Sequence, residues 1–170
     1  MTLDMRRQST FIAPIFSVLL LAGTLQSSSA HAQQLTIQVE PGKQKVLTRA
    51  EIEALPHIKV TVAIHGASAT FEGVSLQQLL EKAGVGFGES LRGARMTSCL
   101  LVEGADGYRV VIALPELDPA FTDKQIILAF LKDGKPLDDK EGPYRVVIPD
   151  EKRPARSVRQ VTALKVVDVK

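Results

Sequence analysis

The 170-residue chain has the composition of an ordinary globular protein, with 45% hydrophobic and 24% charged residues. This composition excludes a long disordered chain, a collagen-like repeat and a multi-pass membrane protein. The formal net charge of +2 is too small to indicate nucleic acid as a partner. Because Cys99 is the single cysteine, an intramolecular disulfide is excluded as well.

The first 32 residues are typical of an export signal. The pair Arg6-Arg7 precedes an apolar run over residues 11–22 that is too short to span a bilayer. An Ala-x-Ala pattern then ends at Ala32, and cleavage there leaves one domain over residues 33–170. We therefore expect a periplasmic protein without membrane attachment after cleavage. An uncleaved membrane anchor is the alternative.

The first third of the mature chain predicts two strands with a short helix between them. A strand over residues 35–39 leads into a turn at Pro41-Gly42. Thr48 and Glu51 have the spacing of a capping box ahead of a helix of one or two turns. Residues 57–65 alternate between apolar and polar side chains, which predicts a half-buried strand.

The next segments predict a longer helix followed by a series of strands. Ser75 and Gln78 form a second capping-box pattern, and an apolar stripe then leads to Gly84, which is suited to end a helix. This stripe needs a sheet to pack against. The predicted strands lie at residues 96–102, 108–114, 125–132, 144–149 and 158–169.

One of these strands is expected at the centre of a sheet. Residues 126–131 are apolar at both odd and even positions, so both faces of that strand are expected to be buried. Asp106-Gly107 and Asp133-Gly134 are turn signals of the hairpin type. The prediction is an α+β fold of mixed sheets with few short helices.

Five passages between residues 58 and 167 match, in order, the sequence pattern of a known family. They are FEGVSLQQLL with AG (71–80 and 83–84), DGYRV (106–110), LAF to DGKPL (128–137), GPYRVVIP (142–149) and RSVRQV (156–161). Together they resemble the oxidoreductase molybdopterin-binding domain, the sulfite oxidase-like family. The resemblance implies the fold of that family and, for its catalytic members, a molybdopterin cofactor. The chain looks like the small exported branch of the family.

The resemblance also implies where a molybdenum ligand would lie. In catalytic members a cysteine thiolate binds the metal from a loop after the strand that corresponds to residues 57–65. Here residues 64–70 contain no cysteine, and neither the imidazole of His65 nor the hydroxyl of Ser68 is equivalent to a soft thiolate. Cys99 lies in an apolar strand instead. We therefore expect no metal site and no cofactor, with molybdopterin as the alternative by family resemblance.

Seven residues are candidates for binding a small anionic ligand. By resemblance, the basic C-terminal stretch lies where larger relatives hold the pterin and its phosphate, and guanidinium groups bind phosphate or carboxylate through paired hydrogen bonds. Asp150 and Glu151 are interleaved and could occupy the same arginines as surface ion pairs. The candidates are His65, Tyr108, Arg109, Arg145, Arg153, Arg156 and Arg159.

Two finer expectations concern the arginines. If the last strand begins near Arg156, then Arg156 and Arg159 point to opposite faces of it and at most one lines a given pocket. If an anion binds, Arg145 and Arg159 should matter more than Lys152, because planar guanidinium groups on strands are better preorganised than a loop ammonium.

Two functions of different classes follow from the sequence. The first is an exported, non-catalytic module, a pseudoenzyme of an oxidoreductase family, that binds a small anion or a periplasmic partner protein. The alternative is a molybdopterin-dependent oxidoreductase, or a subunit of one. A structural envelope protein without a ligand is a third reading, because fold does not determine function.

Overall fold

The computed structural model describes residues 34–64 and 66–169, in which ten strands form two sheets. The predicted signal segment, residues 1–32, and His65 lie outside this range. The strands are β1 (Gln34–Glu40), β2 (Lys43–Thr48), β3 (His57–Ile64), β4 (Ala67–Ser75), β5 (Ser98–Gly104), β6 (Arg109–Ala113), β7 (Ile127–Lys132), β8 (Lys135–Pro136), β9 (Arg145–Val147) and β10 (Val161–Asp168). The helices are α1 (Arg49–Glu53) and α2 (Leu76–Ala83), with 3₁₀ turns at Gly88–Ser90, Gly93–Thr97, Leu114–Leu117 and Pro154–Arg156. This confirms the predicted α+β class.

The first sheet joins the beginning of the described chain to its end. Its strand order is β2-β1-β10-β5-β6, and β1 and β10 are parallel while all other neighbours are antiparallel. Every second side chain points into the main core, as Leu35, Ile37, Leu100, Val102 and Leu164 illustrate. The alternating strands predicted from sequence therefore bury one face of this sheet.

The second sheet is antiparallel throughout and is built around β7. The order is β3-β4-β7-β8, and β9 pairs with the same edge of β7 as β8 does. Leu128 and Phe130 point into the main core, whereas Ile127 and Ala129 belong to a second apolar cluster with Phe71. The prediction that β7 is central and buried on both faces is confirmed.

The close pairing of β4 with β7 requires a glycine. A Cβ atom on Gly73 would lie 2.1 Å from the carbonyl oxygen of Leu128 and 2.5 Å from the Cα of Ala129. The register also shifts between Glu72 and Gly73. The glycine of the FEGV passage therefore lets two backbones approach to a distance that no other residue allows.

The two predicted capping boxes have different outcomes. At α1 the box forms, because the Thr48 N–H donates to Glu51 Oε2 at 2.8 Å and the Glu51 N–H donates to Thr48 Oγ1 at 3.3 Å. At α2 the prediction is wrong, since the Ser75 side chain makes no capping hydrogen bond. Ser75 still pairs with β7, and the Leu76 N–H donates to the Ile126 carbonyl oxygen at 3.0 Å. The first N–H of the helix is thus bonded by a carbonyl group beside β7, whereas the expected bond from the Gln78 N–H to the Ser75 hydroxyl is not formed.

The other differences concern strands and their ends. β2 and β4 were not predicted, because neither stretch of sequence has a clear apolar alternation. The last strand begins at Val161 rather than at residue 158. A 3₁₀ turn occupies residues 154–156, and Gln160 has a φ of 48°, which is incompatible with extended backbone. None of the helices within 34–64 and 66–169 is long and apolar enough to cross a membrane.

His57, at the start of β3, connects α1 to the β3–β4 hairpin. Its Nδ1 lies 3.0 Å from Glu72 Oε1 and its Nε2 lies 2.9 Å from the Glu53 carbonyl oxygen. Both contacts are hydrogen bonds only when both ring nitrogens carry a proton. The bond to Glu72 raises the pKa of His57 and lowers the pKa of Glu72, to which Lys59 Nζ also lies close, at 3.5 Å.

We expect His57→Gln to lower the stability more at mildly acidic than at alkaline pH. A raised folded-state pKa gives stability that is fully present below the ordinary value of 6.5 and is lost as the pH rises through the raised value. The lowered pKa of Glu72 sets the other limit, because its contribution is lost as the pH falls below 4.5. The measurement is the unfolding midpoint of both proteins at about pH 5.5 and about pH 8.5.

The variant Glu72→Gln is the matched control, because it removes the same ion pair from the other side. Its difference from wild type should also shrink at alkaline pH but should not vanish, because the variant removes the ion pair between Glu72 and Lys59 as well. If the unfolding midpoints of His57→Gln and wild type differ by the same amount at both pH values, the assigned ion pair between His57 and Glu72 is contradicted.

Candidate functional site

A cleft of about 400 Å³ opens at the ends of β6 and β9, where three chain segments meet. The segments are the turn between β5 and β6, the stretch leading into β9, and the irregular stretch that precedes β10. Its charged and phenolic lining consists of Asp106, Tyr108, Glu141, Arg145 and Arg159. We call it the arginine cleft.

Backbone hydrogen bonds fix the three segments to one another. The Ala105 N–H donates to the Gln160 carbonyl oxygen at 2.9 Å, and the Val146 N–H donates to the Val158 carbonyl oxygen at 2.8 Å. Gly104 makes this approach feasible, since a Cβ atom there would lie 3.0 Å from the Arg159 carbonyl oxygen. The walls of the cleft are therefore held by main-chain contacts.

Arg145 is a buried cation at the base of the cleft. Its residue is 6% exposed, and β9 places it opposite Ala129 on β7. The guanidinium carbon lies 5.0 Å from the centre of the Phe71 ring, which is a cation–π geometry. Nη1 pairs with Glu141 Oε1, and the other oxygen of Glu141 lies 3.3 Å from Lys132 Nζ.

One donor of Arg145 has no acceptor. Its Nε is buried and has no hydrogen-bond partner among the described residues. Burial lowers the pKa of Arg145, and the charge of Arg159 lowers it further, while Glu141 acts in the opposite direction. The guanidinium is thus held in place by one carboxylate and retains unused hydrogen-bonding capacity.

Arg159 is the second cation of the cleft, and it is exposed. Its side chain makes no ion pair in the described part of the chain. The neighbouring Gln160 anchors this stretch, because its N–H donates to the Glu141 carbonyl oxygen at 2.9 Å and its Nε2 donates to the Asp139 carbonyl oxygen at 2.6 Å. The position of Arg159 is therefore set by backbone anchoring.

Tyr108 forms a strap across the cleft. Its hydroxyl donates to the Ala155 carbonyl oxygen at 2.8 Å, although the residue is 49% exposed. Its N–H donates to Asp106 Oδ1 at 2.9 Å, which shapes the turn between β5 and β6. The phenol thereby connects that turn to the 3₁₀ turn over residues 154–156.

Arg156 lies outside the cleft and braces its wall. Nη2 lies 3.2 Å from Glu116 Oε2, and Nε donates to Glu151 Oε1 at 2.8 Å. The hydrogen bond to Glu116 raises the pKa of Arg156. Both arginines precede the last strand, so the condition under which they would point to opposite faces of it is not met, and of the two only Arg159 lines the cleft.

The structure brings together three of the seven candidate residues. Tyr108, Arg145 and Arg159 line one cleft. Arg109 and Arg153 are exposed and do not line it. His65 lies outside the described residues.

Two acidic residues of the cleft were not singled out from sequence. The sequence predicts Asp106 only as a turn residue, and Glu141 is not among the seven candidates. Glu141 stands four positions before Arg145, a spacing that has meaning in a helix but not across the intervening Gly142-Pro143. No sequence signal therefore identified this pair.

Comparisons with known proteins agree with the sequence resemblance. A protein-family model described as "Oxidoreductase molybdopterin binding domain" matches residues 22–170. No curated protein matches the sequence. Among solved structures, the sulfane dehydrogenase SoxCD from Paracoccus pantotrophus is similar, with a TM-score of 0.62 and 21% identity over 80% of this chain and 38% of that chain. The chain thus spans well under half of that neighbour, and at this identity the likeness concerns the fold.

We expect Tyr108→Phe and Tyr144→Phe to change stability in opposite ways. Tyr108→Phe removes a formed hydrogen bond and should cost about 0.5–1.5 kcal/mol. The hydroxyl of Tyr144 is buried without a partner among the described residues, and burial raises its pKa to about 12. Its removal should therefore be neutral or stabilising. Urea unfolding of both variants provides the measurement. An unchanged free energy of unfolding for Tyr108→Phe would show that the hydrogen bond from Tyr108 to Ala155 does not stabilise the cleft.

Proposed function

Because the chain belongs to the oxidoreductase molybdopterin-binding domain family, we propose that it uses the fold of that family as a non-catalytic module that binds a small anion in the arginine cleft. The observation that carries this proposal is the buried guanidinium of Arg145, whose Nε has no partner in the described part of the chain. A buried donor without an acceptor is costly, and an oxyanion would supply the acceptor.

The second cation of the cleft supports the same interpretation. Arg145 and Arg159 face one cavity, and the charge of Arg159 contributes to the lowered pKa of Arg145. An anion between the two guanidinium groups would reduce this repulsion. Planar guanidinium groups bind carboxylates and oxyanions through paired hydrogen bonds, which are stronger than those between neutral groups.

The residues of the chain do not fit the metal centre of a molybdopterin enzyme. A soft thiolate is the ligand suited to such a metal, and Cys99 is the single cysteine of the sequence. Cys99 is buried in β5, where its Sγ donates to the Val167 carbonyl oxygen at 3.5 Å, and burial raises its pKa. It does not line the arginine cleft. These observations support a module without molybdenum chemistry.

We propose that this module is a periplasmic protein. The arginine pair, the apolar run over residues 11–22 and the Ala-x-Ala pattern ending at Ala32 support export followed by cleavage. The partner there would be a small anionic ligand, or a periplasmic protein that presents a carboxylate or phosphate. Nucleic acid is not a proposed partner, because the chain is close to neutral.

The alternative function is a molybdopterin-dependent oxidoreductase, or a subunit of one. Family membership is the observation that favours it. The distinguishing measurement is the molybdenum and pterin content of the protein recovered from the periplasmic fraction, after expression of the full sequence in a host that makes the cofactor. We expect neither, because the cleft offers no thiolate. Near-stoichiometric molybdenum would refute the non-catalytic module and establish the alternative.

Anion binding itself is tested with Arg159→Gln. We expect acetate, measured by isothermal titration, to bind the wild type and to lose about tenfold in affinity in the variant, because a charge-assisted hydrogen bond is removed. Arg159 is exposed and makes no ion pair in the described ranges, so the substitution should leave the fold intact. Arg109→Gln is the matched control, since Arg109 is equally exposed and lies outside the cleft. Equal acetate affinity in all three proteins would exclude the site.

A further inference from the structure

The arginine cleft carries charges of both signs, and we propose that its ligand is a small zwitterion in which an ammonium group accompanies the carboxylate. This inference rests on the proposed anion site and adds the chemical class of the ligand. Arg145 and Arg159 would hold the carboxylate, and Asp106 would hold the ammonium group.

Asp106 is placed to act as the ammonium acceptor. It lines the cleft and is exposed, and its Oδ1 would lie 3.0 Å from a Cβ atom at Gly104. The carbonyl oxygen of Arg159 lies 3.0 Å from the same point, so the two residues occupy adjacent walls. Oδ1 accepts the Tyr108 N–H, and no hydrogen bond to Oδ2 forms among the described residues. One carboxylate oxygen therefore remains for a ligand.

Asp106 and Arg159 do not neutralise each other. Neither side chain takes part in an ion pair within the described ranges, although the Asp106 side chain and the Arg159 carbonyl group both lie close to Gly104. Two opposite charges that share a cavity and stay apart match a ligand that carries both charges. A ligand with a carboxylate alone would leave Asp106 unpaired beside a second negative charge, which is unfavourable.

The balance of charge around the cleft argues against a dianionic ligand. Two arginines and two carboxylates line it, and Lys132 reaches Glu141 from outside the lining at 3.3 Å. This leaves one excess positive charge. A carboxylate is accommodated by that excess, whereas a dianion such as phosphate would leave a negative balance in a partly enclosed site.

The size of the cleft limits the ligand to a small molecule. Its volume of about 400 Å³ lies near the lower end of the range for ligand pockets. It is adequate for an amino acid or a short peptide, whose termini carry the same two charges. Free amino acids and short peptides therefore share the chemistry that the cleft would recognise.

The test compares matched ligands by isothermal titration on the full-length protein. Acetate, propionate and butyrate carry the carboxylate alone, while glycine, β-alanine and 4-aminobutyrate add an ammonium group at increasing separation. Diglycine, compared with N-acetylglycine as its carboxylate counterpart, tests the peptide form. We expect at least one of the four zwitterions to bind about fivefold more tightly than its carboxylate counterpart, the gain expected for one exposed ion pair.

The variant Asp106→Asn assigns the preference to a residue. Asparagine keeps the side-chain oxygen that accepts the Tyr108 N–H, so the turn should be retained while the charge is removed. We expect the variant to bind the preferred zwitterion no more tightly than its carboxylate counterpart, with the carboxylate affinity unchanged or higher. Asp123→Asn is the matched control, because Asp123 is exposed and lies outside the cleft.

The outcomes separate this inference from the anion site on which it rests. Carboxylates that bind as tightly as the zwitterions would refute the proposal of a zwitterionic ligand and would still support the anion site. Inorganic phosphate that binds more tightly than either would have the same meaning. Retention of the preference in Asp106→Asn would also overturn it. Absence of binding for every probe would overturn both proposals together.

Discussion

The burial of the Arg145 guanidinium is the constraint on which the candidate site depends. A charge removed from water needs an opposite charge or an aromatic face close by, and this one has both, in Glu141 and Phe71. Phe71 is available because β4 pairs with β7, and Arg145 reaches it because β9 pairs with β7 on the other edge. The pairing of the second sheet is therefore a precondition for the charge, and the charge in turn fixes the acidic segment that precedes β9.

The site lies on the fold of an oxidoreductase family, and the side chains that line it are guanidinium, carboxylate and phenol groups. The family supplies a scaffold of two sheets and the loops between them. A few residues in those loops determine which chemical groups line the cleft, and here they are guanidinium, carboxylate and phenol groups. The only thiol of the chain is used to fill space in β5 and to bond a neighbouring strand. The fold alone therefore does not determine the activity, as is true of many widely used folds.

Sequence patterns anticipated the elements whose signal is local. The alternation over β3, the two-sided apolar run of β7 and the capping box at Thr48 all depend on neighbouring residues, and all are present. The Ser75 box did not form, and the start of that helix is bonded instead to the carbonyl group of Ile126, which is distant in sequence. The site was harder to predict, because it too depends on contacts between residues that are distant in sequence. The basic stretch was identified by resemblance, but Asp106 and Arg159 become neighbours only through the close backbone approach at Gly104.

The parallel pairing of β1 with β10 has a consequence for how the chain acquires its structure. Thr36 is paired with Ala163, so the central ladder of the first sheet joins the two most distant strands of the described chain. During synthesis or vectorial transport, β1 and β2 have no completed sheet to enter until β10 has emerged. Contacts of such long sequence separation slow folding, because the entropy of closing the intervening loop is lost before the contacts form. The first sheet of this topology therefore cannot be completed before the last strand of the described chain has been made.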